Sequence, residues 1–125
     1  MTAPFPANAV DYVGAKGRCD QFVIAGNAVQ CGGVAIVSQT DNDRIQVQIP
    51  YGNDGLLMFS GKKDGSHKNI PAMAVDNVSV GKQRFTAQGG CLVSIGAREM
   101  FFGCDAEDVN GKKFSAYFKG NVIRD

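Results

Sequence analysis

The chain has 125 residues, a net charge of +1, and hydrophobic and charged fractions of 44% and 20%, the balance of one globular domain (1–125) that can bury a real core, which excludes disorder along its length. Residues 1–62 carry four Lys/Arg and five Asp/Glu and residues 63–125 carry nine and seven, so neither half has the basic excess that draws nucleic acid by bulk field, and no nucleic-acid partner is expected. The longest apolar runs, such as residues 55–59, fall far short of the ~20 residues of a transmembrane helix, so no transmembrane segment is expected.

Residues 1–12 read as a poorly ordered lead-in. The stretch Thr2-Ala3-Pro4-Phe5-Pro6-Ala7 has neither the charged nor the apolar region of a signal peptide. Its small residues and prolines resemble a mature N-terminus left by signal cleavage, so export with the signal absent is the expectation. One short helical turn is expected near residues 7–15. Beyond it, glycine makes up 16 of 125 residues and no helical period is sustained. Short β-rich runs alternate instead with turn signals. Residues 34–37 form an apolar run after Gly32-Gly33. Residues 44–49 alternate strictly, with Ile45, Val47 and Ile49 inward. A turn over residues 50–55 leads to a return strand over 56–59, and residues 60–69 read as a polar loop. Residues 75–80 and 84–87 are further strands. Asn110-Gly111 suits a type I′ hairpin turn, which leads into Phe114, Ala116 and Phe118 on one face and Ser115, Tyr117 and Lys119 on the other. The expected fold is all-β: a single antiparallel β-barrel or β-sandwich of about eight to ten short strands.

Cys19, Cys31, Cys91 and Cys104 form an even set, each pair spanning one hairpin-sized interval. Centring the second turn on Ala97 and Arg98 puts Cys91 opposite Cys104, with Cys91, Val93 and Ile95 on one face and Met100, Phe102 and Cys104 on the facing one. Opposed residues in an antiparallel pair lie within disulfide reach. The first hairpin turns near residues 25–28 and leaves Cys19 and Cys31 one or two residues off register, which a bulge can absorb. Four cysteines allow three connectivities. The hairpins favour Cys19–Cys31 and Cys91–Cys104, and two disulfides point to a periplasmic or secreted protein. Zinc is disfavoured because no Cys-x-x-Cys is present and the only histidine, His67, lies in a separate segment. Each cysteine pair follows a glycine-rich approach and precedes an acidic turn, a weak repeat that suggests two similar half-sheets.

Catalytic patterns are sparse. Ser66 and His67 are adjacent, and neighbours on an extended chain point to opposite faces. The acidic clusters Asp41/Asp43 and Asp105/Glu107/Asp108 read as solvated turns; neither has EF-hand spacing, and a carboxylate pair for hydrolysis would have to converge across a cleft. Gly61-Lys62-Lys63 lacks the Ser/Thr and the helix of a phosphate loop. Asn77-Val78-Ser79 is a glycosylation sequon. No catalytic residue, metal ligand or cofactor is assigned, and the motifs point to no known family.

The segment over residues 60–69 carries Lys62, Lys63, His67 and Lys68 against the single acid Asp64. Together with Lys82 and Arg84, should the fold bring them near, it is the candidate binding surface for an anionic partner. The function expected is therefore an exported, non-catalytic binding module that recognises a protein or cell-envelope component through loops. The alternative is a carrier of small apolar ligands, with a cavity lined by Phe59, Phe85, Phe102, Phe114 and Phe118. A carboxylate-based hydrolase stands third.

Overall fold

A computed structural model describes residues 10–40 and 43–123. They form nine strands: β1 (Val10–Ile24), β2 (Asn27–Ala28), β3 (Val34–Thr40), β4 (Arg44–Tyr51), β5 (Gly55–His67), β6 (Ile70–Val80), β7 (Gln83–Ile95), β8 (Glu99–Asp108) and β9 (Lys113–Val122). Every neighbouring pair is antiparallel, in the order β2-β1-β3-β4-β5-β6-β7-β8-β9, and β1 also pairs with β9. The eight long strands therefore close into an antiparallel barrel, with β2 as an extra two-residue strand on β1. Of barrel and sandwich, the barrel is what forms. The half-sheets suggested by the weak repeat do not: the wall is one continuous meander.

The helical turn expected near residues 7–15 is replaced, over its described part, by β1; residues 7–9 lie outside the described residues. Val10, Asp11 and Tyr12 also belong to β1 rather than to a lead-in, since Val10 pairs with Thr40 and Tyr12 with Ser38. Cross-strand pairing at Val13–Val37 and Ala15–Ala35 supplies the hydrogen-bond partners that a lone helical turn would lack.

Alternation along each strand fills the interior. Ile45, Val47, Ile49, Leu57, Phe59, Met73, Val78, Met100, Phe102, Phe114 and Phe118 are all buried. An eight-stranded barrel is just wide enough for such side chains to fill it. Phe102 and Phe118, opposite each other on β8 and β9, stack with centroids 5.4 Å apart, and Phe85 meets Phe114 at 5.5 Å. At the closing seam Gly17 faces Gly120. A Cβ on either would collide with backbone atoms of the opposite strand, so this approach of β1 to β9 requires glycine.

Both disulfides form as the hairpins suggest, Cys19–Cys31 and Cys91–Cys104. The second is a direct cross-strand pair, buried inside the barrel, with Cα atoms 4.1 Å apart. The first is different. The turn at Ala25 (φ 52°) and Gly26 (φ 87°) sets Val23 opposite Ala28; past that pair the Val29 N–H donates to Phe22 O at 2.9 Å and the Gly17 N–H to Gly33 O at 2.8 Å, and the disulfide ties the segment between them to β1. The bulge near Cys19 exists at Asp20, on the side of β1 that faces β9.

The hairpin at residues 108–113 differs in turn type from the type I′ expected for Asn110-Gly111. Only Gly111 has a positive φ, 82°. The buried Asp108 carboxylate accepts hydrogen bonds from the backbone N–H of Asn110 and Lys112, both at 2.9 Å. That side chain holds the loop in a wider turn with a left-handed glycine near its end.

Candidate functional site: a cationic hairpin arm

The segment over residues 60–69 is not a loop. β5 continues through it to His67, turns at Lys68 (φ 52°) and Asn69 (φ 68°), and returns as β6. Two successive left-handed residues are the signature of a type I′ hairpin turn. Lys63 pairs with Met73, Ser66 with Pro71 and His67 with Ile70, around a bulge in which Gly65 has φ 70°. No apolar alternation marks this half of the arm, because residues 62–69 are exposed on both faces; its order comes from the strand opposite.

The arm stands partly clear of the wall. β4 pairs with β5 only as far as Arg44–Lys62, after which the Lys63 N–H donates to the Asp43 carbonyl at 3.0 Å. On the other side, pairing of β6 with β7 begins at Ala72–Leu92. Lys62, Lys63, His67 and Lys68 therefore sit together on one exposed hairpin, with Asp64 among them. The bulge, the lysines and Pro71 are also the features that keep an exposed strand edge from pairing with another chain.

Lys82 and Arg84 do not join this group. Lys82 lies in the β6–β7 turn, where the Gly81 N–H donates to Leu56 O at 2.9 Å. Arg84 pairs with Ser79 on the same end of the wall. Leu57 pairs with Val80, and His67 lies ten residues further along β5, roughly 30 Å of strand away. The antiparallel reversal at residues 81–82 sends these two cations to the opposite end of the barrel.

At the base of the arm, a connection invisible in the sequence spans three strands. Arg44 on β4 reaches over β5 to Asp76 on β6 as a bidentate pair (2.9 and 2.8 Å), and also donates to Ser60 Oγ at 3.0 Å. The hydrogen bond from Arg44, with the charge of its guanidinium, holds the Asp76 carboxyl below its ordinary range against a smaller opposing effect of burial. The same pair raises Arg44. Asn77, the sequon asparagine, is half-buried, and its amide nitrogen donates to Asp76 Oδ1 at 2.7 Å.

Three carboxylates beyond the arm, Asp105, Glu107 and Asp108, have structural partners. Asp105 accepts a hydrogen bond from the Tyr117 hydroxyl, which raises the Tyr117 pKa. Glu107 lies 3.5 Å from Lys113, and Asp108 holds its turn. Asp41 lies outside the described residues, and Asp43 sits at φ 63° in the turn before β4. Among the described residues no three of His, Cys, Asp and Glu gather as a metal site requires.

Of the five phenylalanines read as a possible cavity lining, Phe59, Phe102, Phe114 and Phe118 are buried and packed, and Phe85 is half-buried against Phe114. An open cleft of about 680 Å³ lies instead beside the Cys19–Cys31 bond, between β1 and residues 28–33. Comparison with family models, curated proteins and solved structures gives no match.

Proposed function

We propose that the chain is an exported, non-catalytic binding module that holds an anionic protein or envelope component on its cationic arm. The observation that carries the reading is the exposure of Lys62, Lys63, His67 and Lys68 on a single hairpin partly free of its neighbours. Two disulfides are compatible with an oxidising, extracellular compartment. A closed barrel with tied strands is a rigid base for such an arm, and rigidity lowers the ordering cost of binding. The module is favoured over an apolar-ligand carrier because four of the five phenylalanines that would line a carrier's cavity pack against one another in pairs and the fifth, Phe59, is fully buried. It is favoured over a hydrolase because Asp76, Asp105, Glu107 and Asp108 each have a structural partner.

Exposed lysines act mainly by steering and by screened contacts. The oxidised protein should therefore associate with immobilised polyglutamate at low salt and lose that association as salt rises. Replacing Lys62, Lys63 and Lys68 together with Gln should leave folding intact, slow association and flatten its salt dependence. An unchanged on-rate at low salt would remove the arm as the site.

A further inference from the structure

The exposed apolar side chains are not spread evenly over the barrel. Of the six large ones exposed among the described residues, Tyr12 (57%), Ile95 (42%), Phe101 (43%) and Ile123 (50%) come from strand ends on the same rim as the arm. Tyr12 lies near the start of β1, whose Val10 pairs with Thr40 beside the turn that Lys63 meets through Asp43. Ile95 is the last residue of β7, and Phe101 is the third of β8. Ile123 follows β9 and donates its N–H to Gly14 O at 2.8 Å. The other two are Val109, in the turn at the opposite end, and Tyr117, in the wall.

We propose that this rim docks on an anionic lipid bilayer, with the arm lysines at the headgroups and Phe101, Ile123 and their neighbours entering the interface. The proposal rests on the reading of the arm as an anion-binding element and names its partner. Two features favour a bilayer over an acidic protein face. The apolar residues come from β1, β7, β8 and the end of β9, half the circumference of the rim, a spread that suits a flat, fluid surface better than a single complementary patch. They also accompany the arm's positive charge, three lysines and a histidine against Asp64, while Arg98 and Glu99 on the neighbouring turn offset each other and Asp43 lies beside Lys63. Cations beside exposed apolar side chains are the combination that binds anionic membrane surfaces.

The test is sedimentation of the oxidised protein with phosphatidylcholine vesicles, with and without one third phosphatidylglycerol, at low and physiological salt. The protein should partition onto the anionic vesicles only, and less at high salt. Changing Lys62, Lys63 and Lys68 to Gln should reduce partitioning by about a hundredfold. Phe101→Ser with Ile123→Ser should reduce it by about tenfold, with the circular dichroism spectrum and polyglutamate retention unchanged. The chain has no tryptophan, so Phe101→Trp provides a single reporter whose emission should shift to the blue on adding anionic vesicles. Absence of vesicle binding, or a Trp emission that does not move, overturns the bilayer proposal. Retention on polyglutamate in that case leaves the anion-binding arm standing, whereas loss of both defeats the two together. Equal binding to neutral vesicles would overturn the role given to the lysines.

Discussion

The Tyr117 ring on β9 lies across Gly103 on β8, and its hydroxyl donates to Asp105 two residues further along that strand. A Cβ on Gly103 would meet the ring at 3.1 Å, so the ring occupies the space that a side chain would otherwise take. The hydrogen bond to Asp105, more than desolvation, raises the Tyr117 pKa. A raised folded-state pKa contributes stability that is fully present below the ordinary tyrosine value of about 10 and is lost as pH rises through the folded value. Tyr117→Phe keeps the ring and removes the bond. Because Tyr117 is 39% exposed, solvent screening limits the effect to about 0.5 kcal/mol at pH 7. Urea unfolding should show that deficit at pH 7 and a smaller one above about pH 10; a constant deficit across this range would mean that the hydroxyl contributes by some other route.

Arg44 and Asp76 make the opposite prediction in acid. The Asp76 pKa is depressed, chiefly by hydrogen bonding to Arg44, so its contribution is present above the unfolded value of about 4 and is lost as pH falls through the folded value. The Asp76 side chain is 51% exposed, which restricts the contribution to about 0.5–1 kcal/mol. Asp76→Asn should be less stable than the parent at pH 6, and the two should converge as pH falls through the depressed folded-state value. A double-mutant cycle with Arg44→Gln should give a coupling of the same size. Zero coupling would show the bidentate pair to be energetically idle.

Phe118 is 2% exposed and stacks on Phe102. Phe118→Ala removes most of a buried aromatic side chain and should cost about 3–5 kcal/mol in chemical denaturation. A loss under about 1 kcal/mol is too small for a residue that fills the barrel.

The two disulfides should differ in accessibility. Cys91 and Cys104 are 2% and 0% exposed, whereas Cys19 and Cys31 are only half-buried beside an open cleft. Thiolate attack needs access to sulfur, so mild reductant on the folded protein should open Cys19–Cys31 first, with Cys91–Cys104 reduced only on unfolding. Mass mapping of alkylated peptides over time reads the order directly, and simultaneous reduction would contradict the buried placement. Replacing Cys91 and Cys104 with Ala should cost on the order of 3 kcal/mol.

What was legible in the sequence was local. The 91–104 hairpin could be registered to the residue because inward and outward side chains alternate on both sides of a short turn. The same holds for the inward faces at Ile45, Val47 and Ile49 and at Phe114, Ala116 and Phe118. Such periodicity reports which face is buried, and burial on one face sets register strongly. The arm hid from this logic because both of its faces are wet, so its strand carries no alternation, and its order depends on the chain opposite.

Everything that required distant parts of the chain to meet was decided by tertiary structure. Closure of β1 on β9 selects a barrel over a sandwich and explains why glycines stand at positions 17 and 120, but the two positions are about a hundred residues apart in the chain. The Arg44–Asp76 pair joins strands that are not neighbours, so no spacing rule predicts it. Lys82 and Arg84 parted from the arm lysines for the same reason. Local sequence sets where a chain alternates and turns, whereas which end of a strand a charge reaches depends on the length and number of antiparallel reversals before it.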